Sequence, residues 1–307
     1  MEEVIKVENN QGLRLDLFLV FSITQFSRSE IKRKINNGDI KVNGTVEFRP
    51  HYKMRLHDEV VISLNNPPDL ISENFIIPKK INLDIIYEDK DLLIINKPAG
   101  LVVHPATGHK DDTLMNGVVY MYSELNDIGV RNRSSLIHRL DKETSGLILV
   151  GKTNMGLWYY SRLFADKKVT KTYLAVVRGD IRSRLNGRKE LLINTIHARN
   201  KLNRMKFSSR NDYEGKPAIT LIRFLHFIEF EGEKFSVVAA FPKTGRTHQI
   251  RVHLSELGFP IIGDQIYGKN KYSRLMLHAW KIKLTLLNKN EKEFITEVPS
   301  EFLKFMK

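Results

Sequence analysis

Apolar positions recur along this chain with two periods, and the places where one period gives way to the other outline its elements. Near the N-terminus, Ile31 and Ile35 repeat at helical spacing between Ser27, a capping residue type, and Gly38, a terminating one. Glu30 completes a capping box with Ser27, and Phe26 and Ile31 are placed as a hydrophobic staple. Ile40–Val42 and Thr45–Val46 then flank Asn43-Gly44, a strong hairpin signal. Residues 12–66 therefore read as a small α/β unit. Residues 67–82 hold Pro67, Pro68 and Pro78 with little periodicity and read as a linker. Residues 83–307 form the larger unit. Leu83–Tyr87 and Leu92–Asn96 suggest a hairpin, followed by a turn at Lys97-Pro98-Ala99-Gly100. Thr113 is placed to cap a helix through Tyr122, and Thr153 another through Phe164, with the β-formers Leu147–Val150 between them. Lys171–Val177 reads as a strand with Tyr173, Ala175 and Val177 on one face. Residues 218–227 and 235–241 are further strands. Thr247 is placed to cap a helix whose stripe is Ile250, Leu254 and Leu257, ended by Gly258, and residues 274–279 open a last strand pair. No internal repeat is visible.

Length changes this picture little: 307 residues suit one large or two moderate domains. No apolar run reaches the roughly 18 residues of a membrane span, and the acidic, mixed start MEEVIKVENN shows no secretory or transit signal. The absence of cysteine excludes disulfides, thiolate chemistry and cysteine-ligated metal, and fits a cytoplasmic protein. The formal charge of +14 points to a polyanionic partner. Cations crowd two places. Arg28, Lys32, Arg33 and Lys34 lie on the first helix. Arg182, Arg184, Arg188, Lys189, Arg199, Lys201, Arg204, Lys206, Arg210 and Lys216 mark a stretch that reads as a solvated loop, with phosphate contact the favoured use.

The chemistry concentrates in LIHRLDKETSGLILVGKT, Leu136 to Thr153. Asp141 follows His138 and Arg139, and neighbouring cations favour a carboxylate's charged form. Taken alone, an aspartate in a turn is more often a turn or cap residue. Gly146–Thr153 fits the phosphate-loop pattern, but its middle, Leu147–Val150, reads as the strand itself, so a nucleotide-binding loop is not expected. Arg246 sits at a strand-to-helix corner. His138 reads as a structural histidine, and His248 and His253 lack metal-ligand spacing, so no metal is expected.

Three stretches, HRLDKETSGLILV, KTYLAVVRG and TGRTHQIRVHL, stand in order with INKPAGLVVHP before them and RLMLHA after. Over about residues 83–285 the chain resembles the RluA/RluD-type family of RNA pseudouridine synthases. The segment around FSRSEIKRKINNGDIKVNG resembles the S-four-like RNA-binding module carried by many members. Departures are small: Phe259 and Met276 stand where His and Phe are common, and the stretch from Lys189 to Arg210 looks individual to this chain.

The resemblance implies an α+β fold, with a mixed, mainly antiparallel sheet, flanking helices and a central cleft, and a small basic module on a flexible tether. It implies isomerisation of uridine in RNA, most naturally large-subunit ribosomal RNA, by a monomer with no cofactor. The alternative is a catalytically silent RNA-binding or ribosome-assembly factor of the same fold. Residue by residue, Asp141 matches the catalytic carboxylate. Arg246 matches the arginine pairing with it, and Tyr173 the tyrosine stacking on the base. Leu277 matches an apolar lining residue, and Arg139 the arginine that fills the space of the flipped base. Arg28, Lys32, Arg33 and Lys34 are the expected phosphate contacts of the module.

Overall fold

The fold is taken from a computed structural model. It describes residues 2–8, 11–23, 26, 28–63, 76–126, 135–200, 203, 206–210, 215–268 and 272–306. The N-terminal part runs β1 (Glu2–Lys6), α1 (Leu15–Ser22), α2 (Arg28–Asn37), β2 (Ile40–Val42), β3 (Thr45–Val46) and β4 (Glu59–Ser63), and its four strands form one sheet in the order β1-β4-β2-β3. Ile31 and Ile35 are buried as their spacing demands, against Leu15, Phe18, Leu19, Val60 and Ile62. The expected hairpin is present, with Asn43 and Gly44 both at positive φ, as its two-residue turn requires. Ser27 lies outside the described residues.

The larger part begins with β5 (Asp84–Glu88), β6 (Leu92–Lys97), α3 (Leu114–Met121), β7 (Ser145–Gly151), α4 (Asn154–Ala165), β8 (Thr170–Arg178), α5 (Arg182–Leu185) and β9 (Glu190–Arg199). It continues with β10 (Phe207–Arg210), β11 (Lys216–Phe230), β12 (Glu233–Pro242), α6 (Gln249–Glu256), β13 (Leu277–Thr285), β14 (Glu291–Ile295) and α7 (Ser300–Leu303). A ten-stranded sheet runs β10-β9-β11-β12-β8-β13-β7-β6-β5, with β14 paired to β13. Among the described residues its pairings are antiparallel except β13 with β7, which makes it the mixed, mainly antiparallel sheet expected.

Period-two alternation explains how β6 and β7 can be apolar throughout. Leu93, Ile95, Ile148 and Val150 face α3, whereas Leu92, Ile94, Leu147 and Leu149 face α4 and Phe294 of β14. Both helices start where expected. Thr113 and Asn116 form a capping box, and the Thr153 hydroxyl accepts from Gly156 N at 2.9 Å. The phosphate-loop pattern is thus a buried strand followed by a cap.

Two expectations are corrected. The basic stretch after Asp180 is not a loop: it holds α5, β9 and β10, which extend the sheet beyond β11. Leu191 and Ile193 pack on the core while Leu192 and Asn194 face out, a strand alternation masked by the flanking charges. Helix α6 is capped one residue later than expected, by His248 at φ +56, because the Gln249 side chain gathers the turn, accepting from Arg246 N and the Thr244 hydroxyl. The N-terminal module also touches the larger part. Phe21 of α1 meets Trp158 of α4 edge-to-face at 5.8 Å, and Asn154 Nδ2 donates to Val20 O. Residues 67–75 of the expected linker lie outside the described residues. Ile76 packs into the α3 core, and the carbonyl of Ile77 accepts from Asn116 Nδ2.

Gly146 allows β7 to lie against β13: at φ +111, a Cβ there would come within 2.3 Å of Ala279 O. Gly146→Ala is therefore expected to destabilise the fold by about 2–3 kcal/mol in urea melts. Unchanged stability would mean the two strands do not approach so closely.

Candidate active site

The loop ahead of β7 carries Asp141 and is fastened on both sides. Before it, Leu136 bridges to Val150, and His138 Nε2 accepts from Leu149 N at 3.1 Å. That bond needs an unprotonated Nε2, and burial pulls the imidazole pKa down to about 3, so His138 is a neutral structural group. After Asp141, the Lys142 carbonyl accepts from Gly100 N at 2.9 Å and from Lys97 Nζ at 2.9 Å. Lys97 is fully buried, and its ammonium also donates to Pro98 O and Leu101 O, each at 2.8 Å. Burial pulls its pKa down to about 7, opposed by the charges of Glu143 and Asp141, and its three N–H donors are matched by three carbonyl acceptors. One lysine thereby ties the Lys97–Leu101 turn to the Asp141 turn.

Asp141 opens into a cleft of about 490 Å³ whose lining includes Arg139, Tyr173, Arg246, His248, Arg251 and Leu277. The expected residues are thus brought together, with one change of partner. The guanidinium on Asp141 belongs to Arg251, whose Nη1 stands 3.3 Å from Oδ2. Arg246 lies five residues earlier, in the turn before α6, and its Nε donates to Pro217 O at 3.1 Å. Arg251 projects from the inner face of α6 and is only 4% exposed. Its other edge grips the fully enclosed carboxylate of Asp264 through two bonds of 2.8 Å. Asp264 Oδ1 also accepts from Ile266 N and Tyr267 N. Asp264 was not singled out in the sequence. The available signal was Arg251 itself, a cation beside Ile250 in a buried helical stripe, which requires a buried acid.

His248 completes this side. His248 Nδ1 lies 2.9 Å from Tyr267 OH, which itself accepts from Phe207 N, and His248 Nε2 is 3.8 Å from Asp141 Oδ2. Burial lowers the His248 pKa, partly offset by the charge of Asp141. Tyr173 stands on β8, and Leu277 on the adjoining β13 pairs with Ala175. Burial, reinforced by the Asp141 charge, pushes the Tyr173 pKa up, so it stays a neutral phenol.

In the N-terminal module two expected RNA contacts are otherwise occupied. Lys34 is buried, its ammonium donating to Ser63 O at 2.9 Å and lying 5.0 Å from the Phe26 ring centroid, because it falls on the inward face of α2. Arg28 binds buried Asp16 at 3.0 Å, although it stays partly exposed. Arg33 is exposed and Lys32 half-buried.

A ten-stranded, mainly antiparallel sheet with an acid at the floor of a cationic cleft is the framework of an RNA-modifying isomerase. The family model for RNA pseudouridylate synthase matches residues 91–256, and the chain belongs to that family. It is 37% identical to the ribosomal large subunit pseudouridine synthase D of Borreliella burgdorferi, over 96% of this chain and 89% of that one. It is 36% identical to the like-named protein of Zymomonas mobilis, over 88% and 81%. Among solved structures, human RNA pseudouridylate synthase domain containing 1 superposes with a TM-score of 0.60 at 29% identity, covering 74% of this chain and 86% of that one.

The partner assignment is open to a direct kinetic check. Arg251→Lys removes the two-edged grip on both carboxylates and is expected to lower kcat/KM by about 100-fold or more, whereas Arg246→Lys costs less than about 10-fold. The reverse order would make Arg246 the working partner of Asp141.

Proposed function

We propose that this RNA pseudouridine synthase isomerises uridines of large-subunit ribosomal RNA with Asp141 as the catalytic carboxylate. The observation that carries the reading is the Asp141 side chain, 22% exposed at the floor of the cleft, paired with Arg251 and flanked by Tyr173 and Leu277. The names of the bacterial relatives support the choice of RNA.

In the reaction the bond from the sugar to nitrogen one breaks, the base turns, and carbon five bonds to the same sugar carbon. Carbon five gives up a proton and nitrogen one gains one, so no atom is added and no electron is exchanged. The reading therefore needs no cofactor. Asp141 serves as an ionised group that attacks the sugar or the base, or draws off a sugar proton. Arg251 neutralises and orients it. Tyr173 stacks on the uracil and stands near the carbon-five proton. Flipping the uridine out of its stack costs a few kcal/mol, and stacking of about 1–3 kcal/mol per base against an aromatic ring offsets much of that. Arg139, exposed at the cleft, fills the space left behind. Arg246 at the rim is placed for RNA phosphate. The protein works as a cytoplasmic monomer in this reading.

A silent RNA-binding factor has no use for a half-open acid held by a buried ion pair. The separating experiment is conversion of large-subunit ribosomal RNA, scored by mass-spectrometric pseudouridine mapping. Asp141→Asn is expected to slow it at least about a thousandfold, equivalent to about 4 kcal/mol of barrier. Equal rates for parent and variant, or no conversion by either, would overturn the reading.

The N-terminal module supplies backbone affinity through fewer cations than its sequence suggests. Neutralising Lys32 and Arg33 is expected to flatten the log–log salt dependence of RNA binding by nearly one unit per phosphate contact. Lys34→Met should leave the slope unchanged and lower the melting temperature. A slope that follows Lys34 instead would place α2 the other way round.

A further inference from the structure

One wall of the cleft comes from the end of α4 and the start of β8, where Phe164, Lys167 and Lys171 line it. Two features of this wall are unexplained by folding alone. The first is the backbone of Lys167, at φ +58. The chain turns left-handed there as α4 ends, closed by Lys167 N to Phe164 O at 3.2 Å and Lys168 N to Leu163 O at 2.8 Å. Both bonds use main-chain atoms only, so glycine would make them without the steric conflict of a Cβ. What lysine adds at this position is a cationic side chain at an RNA-modifying cleft.

The second feature is Lys171. It lies two residues before Tyr173 on β8, hence on the same face, about 7 Å along the strand. It is half-buried, and burial lowers its pKa with no acid acting to raise it again. Its Nζ lies 5.8 Å from the centroid of the Phe164 ring, which stacks on neutral His138 at 4.6 Å. The carboxylate of Asp141 is already engaged by Arg251. Among the described residues, neither Lys167 nor Lys171 has an anionic partner. A partly desolvated ammonium without an acid nearby is stabilised by an anion arriving from outside.

We propose that Lys171 and Lys167, on the cleft wall that also carries Phe164, form a subsite for an RNA phosphodiester next to the flipped uridine. The subsite rests on the reading of the cleft given above and adds to it the group that fixes the backbone beside the base. Lys171 holds the phosphate within one nucleotide of Tyr173, and Lys167 closes over it from the rim. Such a contact positions the strand without reading its sequence.

Binding of in-vitro-transcribed large-subunit ribosomal RNA is measured against salt concentration in the Asp141→Asn background, so that turnover does not intervene. Lys171→Gln is expected to flatten the log–log slope by about 0.7–0.9 units, and Lys171→Arg to restore it. Lys167→Gly is expected to flatten the slope as well, while its melting temperature stays level or rises. That combination separates a ligand contact from a structural role. Parent-like slopes in Lys171→Gln and Lys167→Gly overturn the subsite, as does a Lys167→Gly that loses melting temperature along with slope. Conversion of the RNA by Asp141→Asn itself refutes the catalytic reading, whereas an inactive Asp141→Asn with unchanged slopes in the lysine variants refutes the subsite alone.

Discussion

The run of charges from Asp264 through Arg251 to Asp141 is the constraint around which the larger part of the fold is arranged. Exposed ion pairs contribute about 0–1 kcal/mol, but stripping one partner from a buried pair costs about 3–5 kcal/mol because a charge is left without solvent. Arg251 and Asp264 are both almost fully enclosed, so neither is dispensable to the other. The link places demands on three separate segments. Helix α6 must present Arg251 inward, the turn after Ile261 must offer Asp264 with its own amides turned to the carboxylate, and the loop before β7 must bring Asp141 to the remaining guanidinium edge.

A second constraint acts on the main chain of that loop. An enclosed ammonium at Lys97 spans the end of β6, the turn after it and the carbonyl just beyond Asp141. His138 performs the matching task on the other side, with an imidazole lone pair on a strand amide. The acid is therefore located by neutral and cationic groups that hold the main chain around it and not its carboxylate. Gly146 lets β7 come close enough to β13 for Leu277 and Tyr173 to share the cleft with it.

How far the sequence disclosed this arrangement depended on whether a residue's role was local. The caps at Thr113 and Thr153, the Asn43-Gly44 turn and the burial of Leu147–Val150 all follow from neighbours within four residues, and all were legible. Strands β9 and β10 were not, because charged residues on their flanks outweighed a weak alternation that only pairing with β11 makes decisive. Position within a motif misled in two cases. Arg246 and Arg251 lie in the same short stretch, and only the helix phase shows which one points at Asp141. Likewise Lys34 looks like its neighbours Lys32 and Arg33, yet one step around the helix carries it from solvent into the core. Asp264 could be reached only by asking what Arg251 neutralises.

The charge distribution in the cleft gives these details a common sense. Among the described residues that line it Asp141 is the one acid, against Arg139, Lys167, Lys171, Lys243, Arg246 and Arg251. A polyanion is drawn toward such a surface, and a narrow cleft concentrates the field. A bare carboxylate at its floor would repel the phosphates that must pass it, and at an effective dielectric of about 20 two unit charges 4 Å apart exchange roughly 4 kcal/mol. Arg251 removes that repulsion while leaving the carboxylate partly open to the cleft, because it engages Oδ2 from one side. Arg251 can do so only because Asp264 holds it from behind. A guanidinium free to swing would bind the incoming phosphate and abandon the carboxylate, so the buried acid farther from the substrate decides which anion Arg251 serves.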